Sequence, residues 1–244
     1  GIGSILGKNS APDARRRVVM GTGIRRPKTA PVVDETWDIR FVRGPITASA
    51  LGLGAEKVIT DGAICLGLLD WPVVEKVYDI GFVPHYHFVT DYPAVLGLSH
   101  GFKVIDPRLP VEEAIRSIRQ CKRIVTESLH GAIIADLFRV PWTRVSLYSW
   151  QTESVDVSSL KWLDWSLSLK VDGFPSVTKN IPNLRRRYGN ILAVPFKLKL
   201  KSTVCSLIRS ISEKQQFCLS ETEILDEKIG RASEVVESFK ASYN

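Results

Sequence analysis

The sequence has few cysteines and no recognisable metal-binding pattern. It contains 244 residues and four cysteines, which lie far apart at Cys65, Cys121, Cys205 and Cys218. No CxxC pair or cysteine–histidine cluster with zinc spacing occurs, and a chain of this length needs no disulfides to fold. We therefore expect free thiols, no zinc site and a cytoplasmic location.

Long hydrophobic runs are also absent. No apolar stretch reaches the roughly 20 residues that a membrane-spanning helix needs, and no signal-peptide pattern is visible. Lysines interrupt the apolar residues of segment 196–212, which predicts a basic amphipathic helix. Such a helix either packs against the protein or lies on a membrane surface, so association with the inner face of the membrane stays open.

The charge of the chain favours anionic partners and gives little support for nucleic acid. The formal net charge is +7 in a composition that is 44% hydrophobic and 24% charged, which suits phosphorylated donors, acidic glycans or lipid head groups. Nucleic acid is not expected, because the arginines are dispersed and no recognition motif occurs. Gly21–Gly23 reads GTG but lacks the third glycine and following helix of a dinucleotide site.

Strands and helices alternate along the chain from about residue 18 to residue 147. The clearest example is RIVTESLHGAIIADLFRV, where a buried strand at Arg123–Thr126 leads through a tight turn into a buried helix at Gly131–Phe138. Repeated units of this kind build parallel sheets with helical crossovers. The sequence therefore predicts an α/β fold.

The same patterns predict the remaining elements. Further strands are expected at Val18–Met20, Trp37–Val42, Lys57–Thr60, Val77–Pro84, Lys103–Ile105 and Arg144–Leu147. Helices are expected from Pro45, at Ala63–Leu69, at Asp91–Leu98, after Pro110, around Lys161–Trp165 and over 220–241, with His85–His87 as an extended loop. Two tryptophans in the Lys161–Trp165 helix are expected to be core residues.

Reactive or anion-binding side chains follow one predicted strand after another. They are Arg43, Asp61, His85, Asp106 and His130. Parallel strands point the same way, so their ends fall on one edge of a sheet, where open α/β proteins bind ligands. Each residue alone also has a structural explanation, such as a salt bridge for Arg43 or a helix cap for Asp61.

The turn before the Gly131 helix combines an anion site with a proton donor. The first N–H groups of a helix have no backbone partner and can bind an anion, Ser128 can donate a hydroxyl hydrogen bond, and His130 can transfer a proton near neutral pH. The structural alternative is that Ser128 caps the helix and His130 packs against the next strand.

Several blocks of the sequence resemble the polysaccharide pyruvyl transferases of bacterial exopolysaccharide synthesis. The blocks are GIGSIL, VVMGTGI, WDIRFVRGPITASALGL, ITDGAICL, IGFVPHYHF, VIDPRLPVEEAIRSIRQCKRIVTESLHGAIIADLFRVPW and KWLDW. They run in the family's order from residue 1 to about residue 165, and RGP and SLHGAIIAD are the most specific.

The resemblance implies two facing Rossmann-like lobes similar to those of GT-B glycosyltransferases. From it we expect an N-terminal lobe at 1–84, a C-terminal lobe at 85–170 and a helical extension at 171–244. The chain starts with Gly1, in a block that resembles the end of a strand. We therefore expect the N-terminal lobe to be incomplete.

The resemblance also implies the chemistry. It implies phosphoenolpyruvate as donor and a sugar of an exopolysaccharide or lipid-linked oligosaccharide as acceptor. The products would be a cyclic pyruvate ketal and phosphate, and the scheme requires no metal or cofactor. His130 matches the catalytic histidine, and Arg43 in RGP matches a donor-binding position.

The remaining site residues rest partly on the same match and partly on their places at the helix start and at strand ends. Leu129 fills the apolar position before the histidine, and Ser128 stands where some relatives have a basic residue, so Arg108 or Lys161 is a candidate to supply that charge. With Gly131, these helix-start residues are expected at the donor. Acceptor hydroxyls are assigned to Asp61, His85 and Asp106.

Two other functions remain open from the sequence. One is a GT-B-type glycosyltransferase, which would release a nucleoside diphosphate instead of phosphate. The other is a truncated paralogue that binds glycans without catalysis.

Overall fold

The fold was analysed in a computed structural model, and the chain divides into two compact units. Unit 1 comprises Gly1–Trp71, Val155–Asp172 and Ser220–Asn244, and unit 2 comprises Pro72–Ser154 and Gly173–Leu219. The structure describes all residues except 1–4, 8–9, 12, 99–100, 149–152, 172, 180, 182–192, 215 and 243–244, and it describes the backbone alone at 193–199. Most of the GIGSIL block therefore lies outside the described residues.

The regular elements are strands and helices of moderate length. The strands are β1 (Arg17–Met20), β2 (Trp37–Phe41), β3 (Tyr78–Val83), β4 (Lys103–Val104), β5 (Cys121–Thr126), β6 (Trp142–Ser146) and β7 (Ser176–Thr178). The α-helices are α1 (Pro45–Ala50), α2 (Tyr86–Asp91), α3 (Val111–Arg119), α4 (Leu129–Leu137), α5 (Val155–Ser168), α6 (Ala193–Lys214) and α7 (Thr222–Ala241). Short 3-10 helices lie at Pro27–Thr29, Ala55–Lys57, Gly62–Leu68 and Pro93–Gly97.

Unit 2 is built on a five-stranded sheet in the order β4-β3-β5-β6-β7. Every neighbouring pair in it is parallel. Ile124 and Val125 of the central strand β5 have no exposed surface, as expected for a strand that is covered on both faces. The predicted α/β class with parallel strands is confirmed, and the arrangement is consistent with a Rossmann-like fold.

The core of unit 2 includes an aromatic group at the end of the sheet. The rings of Phe88 and Tyr148 stack with centroids 5.2 Å apart, and Tyr92 meets Tyr148 edge-on at 5.7 Å. Five residues of α6 join the same core cluster, namely Leu200, Val204, Cys205, Ile208 and Ile211. Of the two alternatives for this basic helix, the structure therefore shows packing against the protein. Among the described residues, no helix is long and apolar enough to cross a lipid bilayer.

Unit 1 contains the parallel pair β1–β2 and a smaller core. A parallel bridge between Val42 and Val58 extends this pair beyond β2. Trp162 and Trp165 of α5 are each 1% exposed, so both tryptophans of KWLDW are core residues as expected. Helix α7 packs on the 3-10 helix Gly62–Leu68.

The segment after β3 differs from the sequence prediction. His85–His87 was expected to be extended, but α2 begins at Tyr86, and the N–H groups of Phe88 and Val89 donate to the His85 carbonyl. The helix forms because its buried residues Phe88 and Val89 pack into the core. It ends at Asp91 because Pro93 has no N–H and restricts the residue before it. The helix predicted at Asp91–Leu98 is therefore shorter and of the 3-10 type, at Pro93–Gly97.

Two other predictions differ in their boundaries. Lys57–Thr60 forms the single bridge at Val58 and no full strand, because the Val58 N–H closes the preceding 3-10 helix by donating to Ala55. The units also divide the chain elsewhere than at residues 84 and 170. Strand β3 belongs to unit 2 because it pairs with β5. Residues 155–172 and 220–244 belong to unit 1.

Gly131 is required where α4 crosses the end of the sheet. A Cβ at this position would overlap Thr126 Oγ1 and lie 3.1 Å from Val83 Cγ1. We predict that Gly131→Ala lowers the free energy of unfolding by about 1–3 kcal/mol through overpacking. The matched control is Gly230→Ala in α7, where a Cβ meets nothing within 4 Å. It should raise stability by about 0.5–1 kcal/mol because alanine favours the helix. Denaturant unfolding of both variants is the measurement, and equal shifts would contradict the close approach at Gly131.

Candidate active site

In unit 2, the predicted site residues follow neighbouring strands at one edge of the sheet. Val83 at the end of β3 pairs with Thr126 at the end of β5, and Phe82 pairs with Val104 of β4. The carboxyl ends of these three strands therefore lie side by side. The residues that follow them are His85, Asp106, Ser128, Leu129, His130 and Gly131.

His130 is the second residue of α4 and is half-buried. Ser128 is the N-cap residue, but its side chain makes no capping hydrogen bond. Thr126 orders this turn instead: its Oγ1 accepts from Ser128 N at 3.0 Å and donates to Ser128 O at 2.8 Å. The alternative in which the Ser128 hydroxyl caps α4 is therefore not what the structure shows. Leu129 is 4% exposed and packs inward.

Asp106 and His85 occupy the loops after β4 and β3. The guanidinium of Arg108 binds Asp106 by two parallel contacts, Nε to Oδ1 at 2.9 Å and Nη2 to Oδ2 at 2.7 Å. This hydrogen bonding holds the pKa of Asp106 below its usual range, so Asp106 is ionised at neutral pH. His85 is 6% exposed and is the N-cap residue of α2.

Glu127 is the residue at this edge that sequence reasoning missed. It directly follows β5 and is 3% exposed. Its Oε2 accepts from His85 N at 3.3 Å, and its Oε1 accepts from Leu147 N at 2.7 Å and from Tyr148 N. The available signal was an acidic residue directly after a buried apolar strand, since a carboxylate in that place has to find buried donors.

In unit 1, Arg43 lies in a buried polar network. Its Nε is 3.1 Å from Asp164 Oδ2, and neither side chain has exposed surface. Thr47 donates to the same carboxylate, through N to Oδ1 at 3.0 Å and through Oγ1 to Oδ2 at 2.6 Å. Asp164 was not predicted as the partner of Arg43. Its place between the two core tryptophans of KWLDW was the available indication that it is buried. The surface salt bridge considered for Arg43 is a buried ion pair.

Asp61 also belongs to unit 1 and is fully buried. Its Oδ1 accepts from Ala63 N at 3.0 Å and so caps the 3-10 helix Gly62–Leu68, which matches the structural alternative for this residue. Gly21, with φ +77°, allows the chain to approach at this point, because a Cβ there would overlap the Gly62 backbone. The glycines of GTG therefore serve close packing within unit 1.

The cysteines and potential metal ligands offer no alternative chemistry in the described part of the chain. All four thiols are free, and burial raises the pKa of Cys121 to about 11 and that of Cys218 to about 12. Burial also raises the pKa of Cys65 and Cys205, so none of them is a thiolate at neutral pH. No group of three or more His, Cys, Asp or Glu residues that could hold a metal ion occurs among the described residues.

Comparison with known proteins identifies the family. The family model for polysaccharide pyruvyl transferase matches residues 5–147, more than half of the chain. The chain belongs to this family. The matched range contains β1–β6 and α1–α4, and therefore all eight predicted site residues of this pyruvyl transferase family member.

A curated relative supports the same family. The chain is 39% identical over 175 residues to the succinoglycan biosynthesis protein ExoV of Rhizobium meliloti (strain 1021). The aligned part is 70% of this chain and 53% of that protein, so the chain spans about half the length of the curated relative it matches. No solved structure matches the chain.

The Arg43–Asp164 pair predicts a large effect on the stability of unit 1. We expect Asp164→Ala to cost about 3–5 kcal/mol, because it leaves a buried guanidinium without its carboxylate. The control is Asp79→Ala, which removes an ion pair with Lys122 whose side chains are 70% and 62% exposed. That change should leave the unfolding midpoint nearly unchanged. Thermal unfolding followed by circular dichroism compares the two, and a small loss for Asp164→Ala would show that the pair contributes little.

Proposed function

We propose that this protein transfers the pyruvyl group of phosphoenolpyruvate to two hydroxyls of a sugar in an exopolysaccharide or lipid-linked oligosaccharide. The product is a pyruvate ketal, and phosphate is released. The observation that carries the proposal is the position of His130 in the first turn of α4, at the carboxyl edge of a parallel sheet and within the segment that the family model matches. The similarity to ExoV, which is named as a succinoglycan biosynthesis protein, supports an exopolysaccharide acceptor.

The chemistry requires one acid and a site for negative charge. Protonation of the terminal CH2 of phosphoenolpyruvate makes C2 electrophilic, and a sugar hydroxyl then adds to it. Phosphate leaves, and the second hydroxyl closes the ring. Of the two protons that the hydroxyls lose, one restores the acid and the other leaves with phosphate. An imidazole is suited to the proton transfer because it gives and takes a proton near neutral pH.

The first turn of α4 is the proposed anion site. The backbone N–H groups at the start of a helix, together with the helix dipole, favour a bound phosphate or carboxylate. Ser128 and the backbone at Leu129 and Gly131 are the proposed donor contacts in unit 2. Arg43 of the RGP block is the proposed donor-binding residue in unit 1, on the strength of the family match.

The proposed acceptor residues are His85, Asp106 and Asp61. His85 and Asp106 follow β3 and β4 at the same sheet edge as α4, which supports contact with one sugar. Asp61 already caps a helix in unit 1, so its role at the acceptor rests only on its place directly after segment 57–60. The arrangement of two GT-B-like lobes and the cytoplasmic location are likewise parts of this proposal. Membrane contact would have to use exposed basic residues of α6 such as Lys201 and Arg209, because the apolar residues of this helix pack in the core of unit 2.

Phosphate release tests the function against its rivals. The protein is incubated with phosphoenolpyruvate and lipid-linked or synthetic glycans, and inorganic phosphate is measured. Acceptor-dependent release of phosphate is the expected result. Release of a nucleoside diphosphate from a nucleotide-sugar would identify a glycosyltransferase instead, and glycan binding without any turnover would identify a binding protein.

The acid role of His130 predicts a loss of turnover with donor binding partly kept. We expect His130→Ala to lower kcat by roughly 100- to 10,000-fold, the usual contribution of a positioned acid. Calorimetry with phosphoenolpyruvate should still detect binding. The control is Lys122→Ala near the start of β5, a residue whose side chain is 62% exposed, and it should keep wild-type turnover. Full turnover by His130→Ala would remove this residue from the chemistry.

Arg43 needs a test that separates donor binding from fold. Arg43→Ala and Asp164→Ala break the same ion pair, and Asp164→Ala also removes the acceptor of two Thr47 hydrogen bonds, so it should lose at least as much stability. If Arg43 also binds the donor, Arg43→Ala alone weakens phosphoenolpyruvate binding, by roughly tenfold or more for a hydrogen bond to a charged group. Calorimetry on the folded variants makes the comparison. Equal donor affinities in the two variants would assign Arg43 to the fold of unit 1 only.

A further inference from the structure

Glu127 joins three adjacent strand ends through one carboxylate. Its Oε2 accepts from the N–H of His85 after β3, and its Oε1 accepts from the N–H groups of Leu147 and Tyr148 after β6. Strand β5, which Glu127 itself follows, lies between β3 and β6 in the sheet. The three loops are therefore held together within two residues of the strand ends by a side chain that is 3% exposed.

A second set of contacts closes this arrangement around α2. His85 is the N-cap residue of α2, and Asp91 at the other end of this helix accepts a hydrogen bond from Tyr148 Oη. The ring of Tyr148 also stacks on Phe88 of α2 with centroids 5.2 Å apart. Glu127 thus binds the start of α2 and the backbone of Tyr148, while the Tyr148 side chain binds the end of α2.

The charge of Glu127 is also part of the local electrostatics of the sheet. Arg144 lies on β6 in register with Thr126 of β5. Burial lowers the pKa of Arg144, and the nearby carboxylate of Glu127 acts in the opposite direction. Replacement of Glu127 by a neutral side chain therefore removes an attractive charge as well as acceptors for the backbone.

We propose that Glu127 is a positioning residue of the transfer reaction. Its carboxylate fixes the loop that begins at His85 and the loop at Leu147–Tyr148 relative to the first turn of α4, which begins two residues after Glu127 and contains His130. The inference rests on the proposed function, in which His130 is the acid and His85 contacts the acceptor. A shift of either loop would separate the acceptor hydroxyls from the activated donor, and misplacement by about 1 Å can cost a factor of 100 in rate.

The test compares two buried carboxylates of unit 2. Glu127→Gln keeps the size of the side chain, but its amide group has to meet either the His85 N–H or the two N–H groups of the β6 loop as a second donor. The matched control is Asp136→Asn. Asp136 is 1% exposed, lies near the other end of α4 and accepts from Trp142 Nε1 at 2.9 Å. Glu127→Asp keeps the charge on a shorter side chain and tests for partial rescue.

Two readouts are measured on each variant of the full chain. The first is amide hydrogen exchange at His85, Leu147 and Tyr148, which does not depend on activity. We expect exchange to rise at least tenfold in Glu127→Gln and to stay near wild type in Asp136→Asn. The second is turnover of phosphoenolpyruvate with glycan. We expect kcat per folded molecule to fall at least tenfold in Glu127→Gln, with donor KM within about threefold because the start of α4 is intact. For Glu127→Asp, we expect amide exchange and kcat to lie between those of Glu127→Gln and wild type.

The outcomes separate this inference from the proposed function. Unchanged exchange at the three amides in Glu127→Gln would overturn the inference whatever the activity. Increased exchange with kcat as in Asp136→Asn would make Glu127 a structural residue and would equally overturn a positioning role. Should Glu127→Gln fail to fold, Glu127→Asp decides by the same two readouts. Absence of phosphate release by the unaltered protein would instead overturn the proposed function, while the exchange comparison would still decide whether Glu127 holds the loops.

Discussion

Buried carboxylates that accept hydrogen bonds hold the strand ends of both units. Asp164 in unit 1 binds Thr47 at the start of α1 and Arg43 just after β2. Glu127 in unit 2 binds the backbone after β3 and β6. The ends of parallel strands leave N–H groups that no neighbouring strand satisfies, and each one that is buried without a partner costs about 1–3 kcal/mol. Loops at such an edge therefore depend on a side-chain acceptor that reaches several of them at once.

This constraint explains why the sequence predicted the elements better than the site. Strands β3 and β5 each contain a short buried apolar run, at 80–83 and at 124–125, and Pro45 marks the first residue of α1, so local sequence identifies these elements. Whether a charged residue is buried depends instead on partners that lie far away in the sequence. Asp164 meets Arg43 across 121 positions, and Glu127 meets Tyr148 across 21. Neither partner is visible in the local pattern, and both acids were missed as members of a network.

In the blocks that resemble the family, the contacts show which residues serve close packing. GTG and RGP contain glycines at which a Cβ would overlap neighbouring groups: Gly21 against Gly62, Gly23 against the Arg43 guanidinium, and Gly44 against Asp164. Close packing at these positions requires glycine, because any Cβ would overlap the neighbouring group. In the SLHG block, Leu129 and Gly131 also serve packing, whereas Ser128 leaves its hydroxyl out of the helix cap and His130 stays half-buried. Ser128 and His130 are the two residues of the block to which the proposed reaction assigns donor contact and proton transfer.

The first turn of α4 alone cannot supply the binding free energy of the proposed donor. A helix N-terminus contributes up to about 2 kcal/mol to an anion, whereas micromolar affinity requires about 8 kcal/mol. The turn at 127–131 contains no lysine or arginine, so any permanent positive charge for the donor has to come from elsewhere. Hydrogen bonds to charged groups contribute about 1.5–3 kcal/mol each, so about two to four of them, from cationic side chains elsewhere in the chain, would supply the rest. The net charge of +7 suits that requirement, and a donor with a phosphate and a carboxylate can use more than one such cation.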